Sequence, residues 1–132
     1  MMKLDLKQKV LVAIYTEYQK DVPQMDNVTQ ALFNIDESKF IIALKKLENE
    51  DKIIGLKFAE FAEGTFLLPN TMSQVMMTNH GMSYVENVLG IQPTLNGLEK
   101  VKEVASKVGG WGFEQLKDFA VKVTTEMIKV NM

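Results

Sequence analysis

The segment Ile35–Phe58, IDESKFIIALKKLENEDKIIGLKF, carries an amphipathic helix that runs directly into a short apolar strand. Asp36 is placed to cap the free N–H groups of a first helical turn. Ile35 and Phe40 flank it at the spacing of a hydrophobic staple. Phe40, Ile41, Leu44 and Leu47 recur at helical intervals and define one buried face. The polar run Glu48–Lys52 ends the helix, and Ile53–Phe58 reads as a strand in which Gly55 permits a bulge or a close backbone approach. Residues 59–65 read as a hairpin tip with Gly64 able to adopt positive φ, Phe66–Leu68 as the returning strand, and Pro69–Asn70 as its end. Ile41, Leu44, Leu47, Ile54, Leu56 and Leu67 are expected to be buried together, with Phe40 against the first or second helix.

Upstream, Asp5 and Gln8 form a capping-box pair ahead of a helix whose apolar face is Val10, Leu11, Ile14 and Tyr18. Lys20–Pro23 breaks it. Met25–Phe33 reads as a short second helix with Val28, Leu32 and Phe33 on its apolar side, and Asn34–Ile35 as the turn into the next. Downstream, Thr71–Met77 is a connector and Thr78 a good N-cap. Gly81, one turn into the helix that follows, costs about 1 kcal/mol of propensity relative to Ala, so another backbone is expected to pack against it. Thr94 or Asn96 caps a further helix bearing Leu98, Val101, Ala105 and Val108. Gly109-Gly110-Trp111-Gly112 interrupts it, and the stripe Phe113, Leu116, Ala120, Val123, Met127 and Val130, widened by Phe119 and Ile128, forms the second arm of an αα-hairpin. The expected class is mainly α (α+β): a winged helix-turn-helix with a two-stranded wing over residues 1–92, and a C-terminal αα-hairpin over 93–132 that serves packing or dimerisation.

The order helix, short helix, IDESKFIIALKKLENEDKIIG, hairpin, MTNHGMSYVENV and two further helices resembles the YjcQ family, from Asp5 to Val130. The residues that carry the resemblance are the helix-to-strand junction and Thr78 with Gly81. The resemblance implies a small winged-helix protein of a bacterium or prophage, with no established activity and no catalytic residues to carry over.

Composition bounds the function. The chain has 132 residues, 46% of them hydrophobic, enough for a core and against disorder. It lacks cysteine, so disulfides and thiolate metal sites are excluded. The longest uninterrupted apolar run near the start is Val10–Tyr15, too short for a signal peptide or a membrane span, and the protein is expected to be cytoplasmic. Every one of the 15 basic residues is lysine, and the formal net charge is −2. Arginine supplies the planar fork that reads guanine and clamps phosphate, and lysine replaces it only in part.

In a DNA-binding reading, the helix after Asp36 is the recognition element and presents Ser38, Lys39, Ile42, Lys45, Lys46 and Asn49 to the groove. Whether Lys39, Lys45, Lys46, Lys52 and Lys57 converge on one positive face, despite the acidic average, is a question for the folded chain. Asp36 and Glu37 at the helix start, and Glu60 and Glu63 at the hairpin tip, oppose phosphate contact. In the alternative reading the scaffold binds a protein partner and no DNA. A homodimer through Phe113, Leu116, Phe119, Ala120, Val123 and Met127 is expected, because that stripe is wider than one partner helix needs. His80 is the single histidine and has no second ligand beside it, so no metal and no cofactor are expected. No serine, threonine or lysine stands in a nucleophile motif, and an enzyme is not expected.

Overall fold

The computed structural model describes residues 3–67 and 71–130. Helix α1 (Leu6–Tyr18) is followed by two 3-10 turns (Met25–Asn27 and Gln30–Phe33), then α2 (Glu37–Asn49). Strands β1 (Ile53–Ile54), β2 (Phe58–Phe61), β3 (Gly64–Leu67) and β4 (Met76–Met77) come next, and α3 (Asn79–Leu89), α4 (Gly97–Gly110) and α5 (Glu114–Val130) complete the chain. The architecture is mainly helical α+β, with β1 paired to β4 and β2 to β3, both antiparallel.

Helix α1 starts where the Asp5–Gln8 pattern places it. The Asp5 carboxylate accepts from the Gln8 backbone N–H at 2.8 Å, and the Gln8 side chain accepts from the Asp5 N–H at 2.9 Å. Every residue from Val10 to Glu17 is buried. One face was expected to be covered; instead the whole circumference is, because α2, α3, α4 and α5 all pack on it. Each fully buried aliphatic residue there contributes about 1.5–3 kcal/mol relative to an exposed one.

The segment Met25–Phe33 does not form the expected single helix. Thr29 is extended (φ −118°, ψ 162°) and separates the two 3-10 turns. The adjacent β-branched pair Val28–Thr29 sits mid-segment, and nine residues offer too few helical hydrogen bonds to override it. Phe33 nevertheless stacks on Phe40 of α2, with ring centroids 6.1 Å apart.

Helix α2 matches its expected limits. The Asp36 side chain accepts from the Lys39 N–H at 2.9 Å. At the other end Asp51 turns left-handed (φ 60°) and the Lys52 N–H reaches back to the Leu47 carbonyl at 3.0 Å, closing the helix. Phe40, Ile41, Ala43, Leu44 and Leu47 face the core.

The strand after α2 corrects the sequence reading twice. It breaks at Gly55 (φ 90°), where a Cβ would lie 2.1 Å from the Gln74 carbonyl oxygen, so β1 and β2 are separate strands. The inward residue of β1 is Ile53, at 0% exposure, whereas Ile54 is 54% exposed and Leu56 only half-buried. Part of the expected connector is β4, pairing Met77 with Ile53 and Met76 with Ile54. The β2–β3 hairpin turns at Ala62–Glu63, tighter than expected. The expected strand end at residues 68–70 lies outside the described residues, as do the side chains of Phe66, Leu67 and Val130.

Thr78 caps α3 by accepting from the Gly81 N–H at 2.9 Å, and its own N–H bonds the Lys52 carbonyl at 3.2 Å. Gly81 rests on that carbonyl: a Cβ would stand 2.1 Å from the Lys52 oxygen. The backbone expected against Gly81 is therefore the end of the α2–β1 turn.

Asn96, rather than Thr94, caps α4 by accepting from the Glu99 N–H at 2.8 Å. The helix continues through Gly109 and Gly110, and the reversal falls at Trp111–Gly112, where Gly112 has φ 86°. The division at 92/93 does not separate two cores. One buried cluster includes Leu11 and Ile14 of α1, Leu44 of α2, Val85 of α3, Val104 of α4 and Val123 of α5. Two ion-pair groups cross the same division. Glu86 of α3 accepts from the Tyr15 hydroxyl at 3.0 Å and pairs with Lys100 of α4 at 2.8 Å. Lys20, just past α1, pairs with Glu17 at 2.8 Å and with Glu126 of α5 at 2.9 Å.

Candidate nucleic-acid interface

The outward face of α2 follows from the inward one. With Phe40, Ala43, Leu44 and Leu47 facing the core, helical geometry turns Ser38, Lys39, Ile42, Lys45, Lys46 and Asn49 away from it, and all six are exposed. Ile42 is 53% exposed in the middle of this face, an apolar residue flanked by lysines one turn to either side.

The six do not carry equal charge into solvent. Lys39 and Lys46 join no ion pair among the described residues. Lys45 instead leans onto the hairpin. Its ammonium lies 3.5 Å from the Glu60 carboxylate, 3.4 Å from the Thr65 hydroxyl and 5.5 Å from the centre of the Phe58 ring. Glu60 and Thr65 are cross-strand partners, so one lysine touches both strands. The Leu56 N–H donates to Glu48 of α2 at 3.3 Å, a second tether between helix and hairpin. Sequence reasoning missed this coupling, although a lysine one turn before the helix end facing an acid on a following hairpin is its available signal.

The five lysines do not converge on one free face. Lys52 is buried, pairs with Glu50 at 2.8 Å and sits 3.8 Å over the Tyr84 ring. Glu50 in turn pairs with Lys7 of α1 at 2.6 Å. Hydrogen bonds from Lys52 and Lys7 hold the Glu50 carboxyl below its ordinary value, and the bond to Glu50 holds Lys7 above its own. Lys57 is exposed. At the start of α2, the hydrogen bonds from the Lys39 N–H and the Ser38 hydroxyl hold the Asp36 carboxyl below its ordinary value, so this end of the face stays anionic. Glu60 and Glu63 at the hairpin tip are exposed.

Most of the stripe read as a dimer surface faces the interior of the chain. Leu116, Phe119, Ala120 and Val123 are buried in the chain's own core, and Phe113 and Met127 are half-buried against it. Helix α4, helix α1 and the second 3-10 turn together cover more of α5 than its own apolar pattern shows. The outer side of α5 keeps Val121 and Ile128 exposed. His80 is exposed at the start of α3. No helix among the described residues is long and apolar enough to cross a membrane.

A family model described as YjcQ protein matches residues 8–104, a span that takes in most of α1, α2, the whole β region, α3 and the first half of α4. No curated protein and no solved structure matches the chain.

Proposed function

The chain belongs to the YjcQ family, and from that premise we propose that it is a winged-helix DNA-binding regulator that docks α2 in the major groove. One observation carries the reading: the face of α2 turned from the core is a continuous strip of lysines, a serine and an asparagine around Ile42, with Lys39 and Lys46 free of ion pairs among the described residues. Such a strip has the chemistry that duplex DNA asks for. Lysines meet phosphates, an asparagine pairs with adenine, and an exposed aliphatic side chain contacts a thymine methyl. The β2–β3 hairpin, tethered to α2 through Lys45 and Glu48, then takes the position of the wing.

The acidic hairpin favours a second reading. Glu60 draws Lys45 away from any phosphate, and Glu60 with Glu63 makes the hairpin anionic. In that case the same strip, centred on Ile42, binds a protein surface.

Salt separates the two. Binding to a mixed-sequence duplex at low salt, read by fluorescence anisotropy, is expected to weaken steeply as salt rises, by about 0.9 log unit per phosphate contact for each tenfold increase in salt. The double variant Lys39→Glu/Lys46→Glu is expected to abolish it while leaving the circular dichroism unchanged. No anisotropy change at low salt removes DNA as the target and leaves the protein-binding reading.

A further inference from the structure

A cleft of about 490 Å³ opens between the end of α1, the start of α4 and the last turns of α5, on elements distinct from the α2 face. Its size falls within the range of about 300–1,000 Å³ that small-molecule sites occupy. Val22, Leu98 and Met127 give it an apolar lining, and Lys20, Asp21 and Glu126 supply its charge. The start of α4 is held close to α1 here, since a Cβ at Gly97 would lie 2.7 Å from the Gln19 carbonyl oxygen.

The charge in this wall does not balance. Glu17 has no exposed surface and lies behind Lys20, which it meets at 2.8 Å through one carboxylate oxygen; that same oxygen accepts from the Gln24 N–H at 2.9 Å. Its other oxygen, Oε1, is buried without a hydrogen-bond partner. Lys20 is shared with Glu126 at 2.9 Å. Burial pulls the Lys20 ammonium down, but the bonds to Glu17 and Glu126 outweigh it and leave it above its ordinary value. One ammonium therefore serves two carboxylates, and Asp21 adds a third acid at the mouth. The lining itself carries two acids, Asp21 and Glu126, against the one ammonium of Lys20, which Glu17 already shares, so a cation in the cleft meets an excess of negative charge. An anion would meet a lysine that is already engaged twice.

We propose that this cleft binds a small amphipathic amine, with its ammonium between Asp21 and Glu126 and its apolar body against Val22, Leu98 and Met127. The proposal does not depend on what α2 binds.

The full chain, labelled with ¹⁵N, is titrated with 2-phenylethylammonium and followed by backbone amide shifts. Saturable shifts are expected at Val22, Gln24, Gly97 and Leu98. The uncharged 2-phenylethanol and the anionic phenylacetate share the ring and are expected to bind about tenfold more weakly or worse. Glu126→Gln is expected to remove most of that preference without altering the response to 2-phenylethanol. Asp21→Asn, in an exposed loop, makes the same test without touching the Lys20 pair. Equal binding of the three compounds overturns the proposal. So does the lack of any saturable shift at these amides up to the solubility of the amine, or a preference that both variants leave intact.

Discussion

Gly81 has no room for a methyl group. The oxygen that a Cβ would meet belongs to the Lys52 backbone, which also receives the Thr78 N–H, so neither side of the contact yields cheaply. Gly81→Ala is expected to lose about 1–3 kcal/mol in denaturant titration, although alanine is the better helix former. A gain in stability would mean that α3 can move off the turn. This residue was readable from sequence because its type opposes the local helix, and only a tertiary contact explains such a choice. Glu50 was not readable, since its partners Lys7 and Lys52 reach it from α1 and from the start of β1. Its carboxyl is held below the ordinary 4.5, so the folded protein takes up that proton less readily than the unfolded chain. The contribution is complete above pH 4.5 and fades as pH falls through the folded value. Glu50→Gln should therefore be less stable than wild type at neutral pH, with the difference shrinking below pH 4.5 when the two are unfolded in urea side by side.

Helix α2 was legible almost to the residue, because its cap, its apolar period and its polar end all agree. The strand after it was not. In Ile53-Ile54 both residues have the same shape and hydropathy, so nothing local chooses which one turns inward. Pairing with Met76–Met77 and the left-handed Gly55 make that choice from outside the segment. Truncation reports it directly: Ile53→Ala is expected to cost about 2–5 kcal/mol, as other buried isoleucines do. Ile54→Ala should stay within about 0.5 kcal/mol, as at exposed positions. Reversed values would put β1 in the opposite register. The cross-strand pair Ile54 and Met76 is left as an apolar spot on the outside of this small sheet.

Whether the C-terminal hairpin serves packing or dimerisation is a choice that periodicity could not make. The pattern in α5 shows that it has an apolar stripe, but not whether its own chain or a second copy covers it. The signal lay at the other end of the molecule. The run Val10–Glu17 contains no polar residue before Thr16, and a helix with no polar side needs neighbours all round. Those neighbours include α4 and α5. Val123→Asp puts a charge among them, and the expected result is loss of helical circular dichroism at room temperature. A folded protein of altered assembly state would instead return Val123 to an interface between copies. The outward face of α2, by contrast, follows from its apolar period, and its six residues Ser38, Lys39, Ile42, Lys45, Lys46 and Asn49 are exposed. Which of its lysines are paired was not legible, because ion pairing is a property of neighbours.

The contact between Lys20 and Glu126 spans 106 positions of sequence. During synthesis α1 leaves the ribosome well before α5 exists, and domains otherwise tend to form as soon as their residues emerge. Until α4 and α5 follow, the side of Val10–Glu17 that they cover stays bare, an open invitation to holdase chaperones or to a neighbouring nascent chain. A ribosome paused in the β hairpin leaves α3, α4 and α5 all unmade, and would expose this protein to aggregation more than one paused within α4.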